Sequence, residues 1–126
     1  MKLEAAYGPL FLRIGLGLIF IVHGAQKLMG MEQTIGFFGS VGIPAASLTA
    51  YVVAGVEVLI GIAFILGLFT SIASVLAAVV MAGAILFVKG SKGFAGGYEF
   101  DLLILLTALS LLFTGPGALR MPIGKN

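Results

Sequence analysis

The chain has 126 residues, of which 60% are hydrophobic and only 10% charged, with a net charge of +2 and no cysteine. A soluble domain averages about 45–50% apolar and about 25% charged residues, so this composition, with a mean hydropathy of +1.21, indicates an integral membrane protein whose first partner is the lipid bilayer. The missing cysteines exclude disulfides, thiol redox relays, iron–sulfur clusters and Cys-based zinc sites; one histidine argues against a metal centre, and the absence of a basic polar stripe argues against nucleic-acid binding.

The first apolar run, about 8–28, approaches the ~20 residues that cross a bilayer, and Pro9 suits an early helical position. Lys2 precedes it, yet Arg13 interrupts its apolar core and no small-residue cleavage pattern follows, so it reads as a retained helix rather than a signal peptide. The next stretch, Gly30 to Pro44, is too short to span and too apolar for a free loop. Phe37 and Phe38, set among Gly36, Gly39 and Gly42, suit a short interfacial or re-entrant piece that can lie over a site as a lid or anchor.

A second helix is expected over about 46–68, with Glu57 near its centre. A turn around Phe69-Thr70-Ser71 leads to a third, about 72–88, which is free of charge. Its Ser74, Ala78 and Ala82 recur at every fourth position and offer a small-residue packing face. Residues 89–97 connect to a fourth helix, about 98–114, stopped by Gly115-Pro116-Gly117. The expected fold is all-α: an integral membrane four-helix bundle, up-down-up-down, forming one domain over residues 1–126.

Arg13, His23, Lys27, Glu57, Glu99 and Asp101 lie within or flush against these spans. A charge in hydrocarbon is costly unless partnered or hydrated, so such residues mark either a functional site or ion pairs that hold the bundle in register. Threading the helices up and down brings His23 and Lys27 toward the side of the membrane opposite the termini, where Glu99 and Asp101 also lie. Arg13, His23 and Lys27 fall within an arc of roughly 80° at 100° per residue, so one face of the first helix carries all its cations. The expectation is one polar site inside the bundle, with His23, Glu57 and Glu99 as catalytic, proton-handling candidates and Arg13, Lys27 and Asp101 as substrate-binding ones. Glu99 and Asp101 also suit the positive end of a helix dipole.

The ordered set Arg13 … His23-Gly24-Ala25-Gln26-Lys27, Gly42-Ile43-Pro44, Glu57 … Leu66-Gly67-Leu68-Phe69-Thr70, Gly97-Tyr98-Glu99 and Gly115-Pro116-Gly117 closely resembles the DoxX family of small membrane proteins, over about Tyr7 to Arg120. The resemblance implies a four-helix membrane protein described as an oxidoreductase component. Related DoxD proteins belong to a thiosulfate:quinone oxidoreductase, and some DoxX members associate with detoxifying redox enzymes. Two functions follow as expectations. The first is a redox-linked membrane subunit that binds a quinone or similar small molecule, working with a soluble redox-enzyme partner or as a homo-oligomer. The second is a non-catalytic scaffold or small-molecule carrier whose ion pairs are structural. Lys2, Arg13, Arg120 and Lys125 on the terminal side, against Lys27, Lys89 and Lys92 opposite, favour cytoplasmic termini in the cell membrane.

Overall fold

The computed structural model describes residues 3–121. Helix α1 runs Tyr7–Met29, α2 Met31–Ser40, α3 Ala46–Leu66, α4 Thr70–Ala84 and α5 Glu99–Thr114. Beyond Ala84 the fourth helix widens into a π-helical turn, Ile85–Lys89, and tightens into a 3-10 turn, Gly90–Lys92. Four segments are long and apolar enough to cross a membrane: Tyr7–Met29, Ala46–Leu66, Thr70–Lys92 and Phe94–Thr114. Around the bundle, α1 packs on α3, α3 on α4, α4 on α5, and α5 closes back onto α1. The expected membrane bundle is present, and α2 is the short segment between its first two spans, packed on α3.

The outside of the bundle is greasy. Phe11, Leu59, Leu86, Leu103 and Phe113 are all largely exposed, which would be untenable in water over so large a surface but suits contact with acyl chains. The interior holds Leu16, Phe20, Ile60, Phe64, Ala77, Ile104, Ala108 and Leu111, with the Phe20 and Phe64 rings tilted at a centroid distance of 6.5 Å.

Lipid is as apolar as leucine, so burial alone does not drive helices together within a bilayer; close backbone packing does. The α1–α3 contact uses it fully. A Cβ on Gly17 would stand 2.9 Å from the Gly61 carbonyl oxygen, and one on Gly61 would stand 2.7 Å from that of Gly17. Two turns along, a Cβ on Gly24 would stand 2.9 Å from the Ala54 carbonyl oxygen. Nothing larger than hydrogen fits at these three positions without separating the helices.

On α4, the buried positions are Thr70, Ala73, Ser74, Ala77 and Met81. The expected stripe of Ser74, Ala78 and Ala82 is thus displaced: Ala78 and Ala82 are only half-buried. A straight every-fourth row drifts around a helix of 3.6 residues per turn, whereas a mix of third and fourth positions stays on one side.

Gly61→Val should therefore destabilise the protein by about 1–3 kcal/mol, the usual cost of overpacking. Gly55→Ala, whose Cβ would meet nothing within 4 Å, should be neutral or mildly stabilising. Denaturant unfolding in detergent reads the difference; equal effects of both substitutions would refute close packing at Gly61.

Candidate functional site

The six ionisable positions separate into two centres and an isolated acid at the start of α5. Arg13 is completely buried. Its Nη1 donates to the Phe64 carbonyl at 3.1 Å, and its Nη2 donates to the carbonyls of Ala118 at 2.6 Å and Leu119 at 3.2 Å. The last turn of any helix leaves carbonyls without internal partners, and Arg13 serves one at the end of α3 and two in the segment after α5. Gly67, at φ +68°, lies against the guanidinium, where a Cβ would collide with Nη1. The same segment is tied down by Ala118 N–H donating to Ala6 and Met121 N–H donating to Leu66. Arg13 clasps the terminal end of the bundle.

This corrects the expectation that Arg13 shares a site, and acidic partners, with His23 and Lys27. Those residues do lie within one arc of α1, but ten residues at 1.5 Å each set Arg13 about 15 Å from His23 along the axis. Angular proximity hides axial distance. Glu99 is corrected as well. It is exposed, and its Oε2 accepts from the Gly96 N–H at 3.0 Å in the turn before α5, while its place in the first turn suits the helix dipole.

The other four come together at the opposite end, around a cavity of about 440 Å³. Helix α1 contributes His23 and Lys27, four residues apart and hence on one face. Helix α3 contributes Thr49, Val53 and Glu57 by the same four-residue repeat, and α5 contributes Phe100, Asp101 and Ile104. Lys27 Nζ lies 2.8 Å from Glu57 Oε1, with the Lys27 side chain 24% exposed and that of Glu57 7%. It is the one ion pair among the described residues. Asp101 is also buried, and its Oδ2 has no hydrogen-bond partner among the described residues. His23 is exposed and reaches the cavity at its edge.

The remaining wall is mostly apolar. Phe20, Phe37, Phe38, Phe87 and Phe100 bring rings from α1, α2, the π-helical turn and α5. Helix α2 therefore adjoins the site as expected of the Gly30–Pro44 segment, with Phe38 buried and Phe37 partly exposed. Lys89 lines the cavity too, although from the sequence it belongs to a connector. Its one available signal is a cation directly following an apolar run. The π-helical turn at Ile85–Lys89 allows Phe87, Val88 and Lys89 all to line the cavity, and such widened turns are frequent at functional sites. No group of three or more His, Asp or Glu side chains suited to a metal ion forms among the described residues.

Four apolar spans around a cavity lined by aromatic and charged side chains define a multi-pass membrane protein. The chain belongs to the DoxX family, whose model matches residues 8–90. It is 49% identical over 108 residues to "Putative oxidoreductase CatD" of Bacillus subtilis, covering 86% of this chain and 79% of that protein. It is 36% identical to "Uncharacterized membrane protein Rv3486" of Mycobacterium tuberculosis, covering 92% and 82%. Over a shorter stretch, 48% of this chain and 44% of the relative, it is 39% identical to "Inner membrane protein YphA" of Escherichia coli. No solved structure matches the chain.

Removing one member of a buried ion pair strands the other, at about 3–5 kcal/mol, whereas replacing both with apolar groups of similar size is often neutral. Glu57→Ala should accordingly lower stability in detergent by that amount, and Lys27→Met with Glu57→Leu should restore most of it. If the double substitution is as damaging as the single, the pair does not carry the stability.

Proposed function

We propose that this chain is the membrane-embedded subunit of a redox system and binds a quinone or similar small molecule in the cavity at the α1–α3–α5 end. The observation that carries this reading is a Lys27–Glu57 ion pair and an Asp101 side chain whose Oδ2 has no hydrogen-bond partner among the described residues, all lining one aromatic-walled cavity. A quinone has an apolar body with carbonyl oxygens that take hydrogen bonds, and it needs protons on reduction. The five phenylalanines suit the ring, Lys27 or Lys89 can hold an oxygen by charge, and His23 and Glu57 can pass protons. The oxidoreductase name of the Bacillus subtilis relative points the same way.

With no cysteine and no metal-binding motif, electrons would pass between the bound molecule and a partner. A soluble redox enzyme meeting the cavity end is the partner this reading requires; a homo-oligomer is the alternative assembly. Helix α2, with Phe37 and Phe38 at the cavity wall, serves as its cover. Arg13 and Glu99 have structural roles and stand outside the site. The scaffold or carrier reading draws its support from that fact, since two of the six charges are spent on helix ends.

His23→Ala and Glu57→Gln should each reduce quinone-linked turnover in native membranes by about tenfold or more, the lower range of acid–base effects, with the protein still present and folded. Turnover unchanged in both variants would leave the scaffold reading in place. The excess of cations on the terminal side supports cytoplasmic termini and a place in the cell membrane. A carboxy-terminal reporter active in the cytoplasm is expected; activity only outside would reverse the orientation.

A further inference from the structure

The polar groups of the cavity are unevenly satisfied. Lys27 is held by Glu57 at 2.8 Å, and the Thr49 hydroxyl donates to the Pro44 carbonyl at 2.8 Å. His23 is exposed, and Lys89 is half-buried in the terminal turns of the fourth helix. Asp101 differs from all of these. It is 6% exposed, lines the cavity, and its Oδ2 has no donor among the described residues. A buried carboxylate left unpaired is a standing cost, and any ligand group that donates to it recovers that cost. A ligand group that only accepts would meet it with repulsion.

We propose that the cavity selects the reduced, hydroxyl-bearing form of its quinone-type ligand, with the Asp101 carboxylate accepting the ligand O–H. This rests on the reading of the cavity as a quinone-type site. The two redox forms share ring, size and apolar surface, so the phenylalanine wall holds them equally. They differ at the oxygens: the oxidised form accepts only, and the reduced form also donates. Lys27, ion-paired with Glu57, carries three N–H groups and can serve an oxygen of either form. Asp101 is the group that tells them apart, through a charge-assisted hydrogen bond available to the hydroxyl alone. Asp101 lies in the first turn of α5.

The test is equilibrium dialysis of the full chain in nanodiscs against a short-chain benzoquinone and, under anaerobic reducing conditions, its hydroquinone, with empty nanodiscs subtracted. The hydroquinone should bind roughly tenfold to hundredfold more tightly, the range expected of a hydrogen bond to a charged group. Asp101→Asn keeps the shape and supplies an amide that can donate as well as accept, so it should bring the two affinities within about threefold. Equal affinities in the unaltered protein, or tighter binding of the oxidised form, overturn the proposal while leaving the site in place. Binding of neither form above empty nanodiscs overturns the site and the proposal together. A preference that persists unchanged in Asp101→Asn assigns the selection elsewhere and overturns the role of Asp101.

Discussion

The approach of α1 to α3, backbone against backbone, is the constraint on which the rest of the structure depends. Within a bilayer no hydrophobic force gathers the helices, so the contact rests on dispersion at short range and on polar groups that find each other. Gly17 against Gly61 and Gly24 against Ala54 make the short range possible. Both polar attachments of α1 to α3 then flank this glycine seam: Arg13 reaches the Phe64 carbonyl at one end and Lys27 reaches Glu57 at the other. A larger residue at Gly61 would move both attachments together, because they are fixed to the same pair of rods.

The two ends answer the cost of charge in hydrocarbon differently. Arg13 meets backbone carbonyls, which are neutral, geometrically fixed and unused at helix ends. A guanidinium with five N–H donors in a planar fork suits several such acceptors at once. Its role is to join α1, the end of α3 and the segment after α5 through Nη1 and Nη2, while its buried Nε has no hydrogen-bond partner among the described residues. At the other end a flexible lysine meets a carboxylate, and a second carboxylate has no partner among the described residues. What distinguishes the two ends is the cavity: Asp101 lines about 440 Å³ of open volume, whereas Arg13 is packed against the chain's own backbone.

Much of the architecture was legible because the bilayer imposes it. Apolar run length marked the four spans, and alternating direction alone placed His23, Lys27 and Asp101 at the same end, with Glu57 in reach. What the pattern could not reveal was which carbonyls a buried arginine would meet, since these belong to Phe64, Ala118 and Leu119, where side-chain identity carries no signal. The segment after Pro116 carries no side-chain signal for the same reason: its contribution is backbone, tied by Ala118 N–H and Met121 N–H. Glu99 and Asp101, two residues apart, took different fates because neighbours at that spacing face different sides of a helix. Lys89 escaped notice because regular helical spacing does not foresee a π-helical turn.

The most direct measurement of the central claim, that the charged cavity is a ligand site and the Arg13 end is not, is photo-crosslinking with a hydroquinone carrying a small photoreactive group. The protein is reconstituted in nanodiscs and the adducts are mapped by mass spectrometry. Adducts on Phe37, Phe87 and Phe100, from α2, the π-helical turn and α5, suppressed by excess unlabelled hydroquinone, are the expected result. Adducts confined to lipid-facing positions such as Leu59, Ile72 and Phe113, and indifferent to competition, would contradict it.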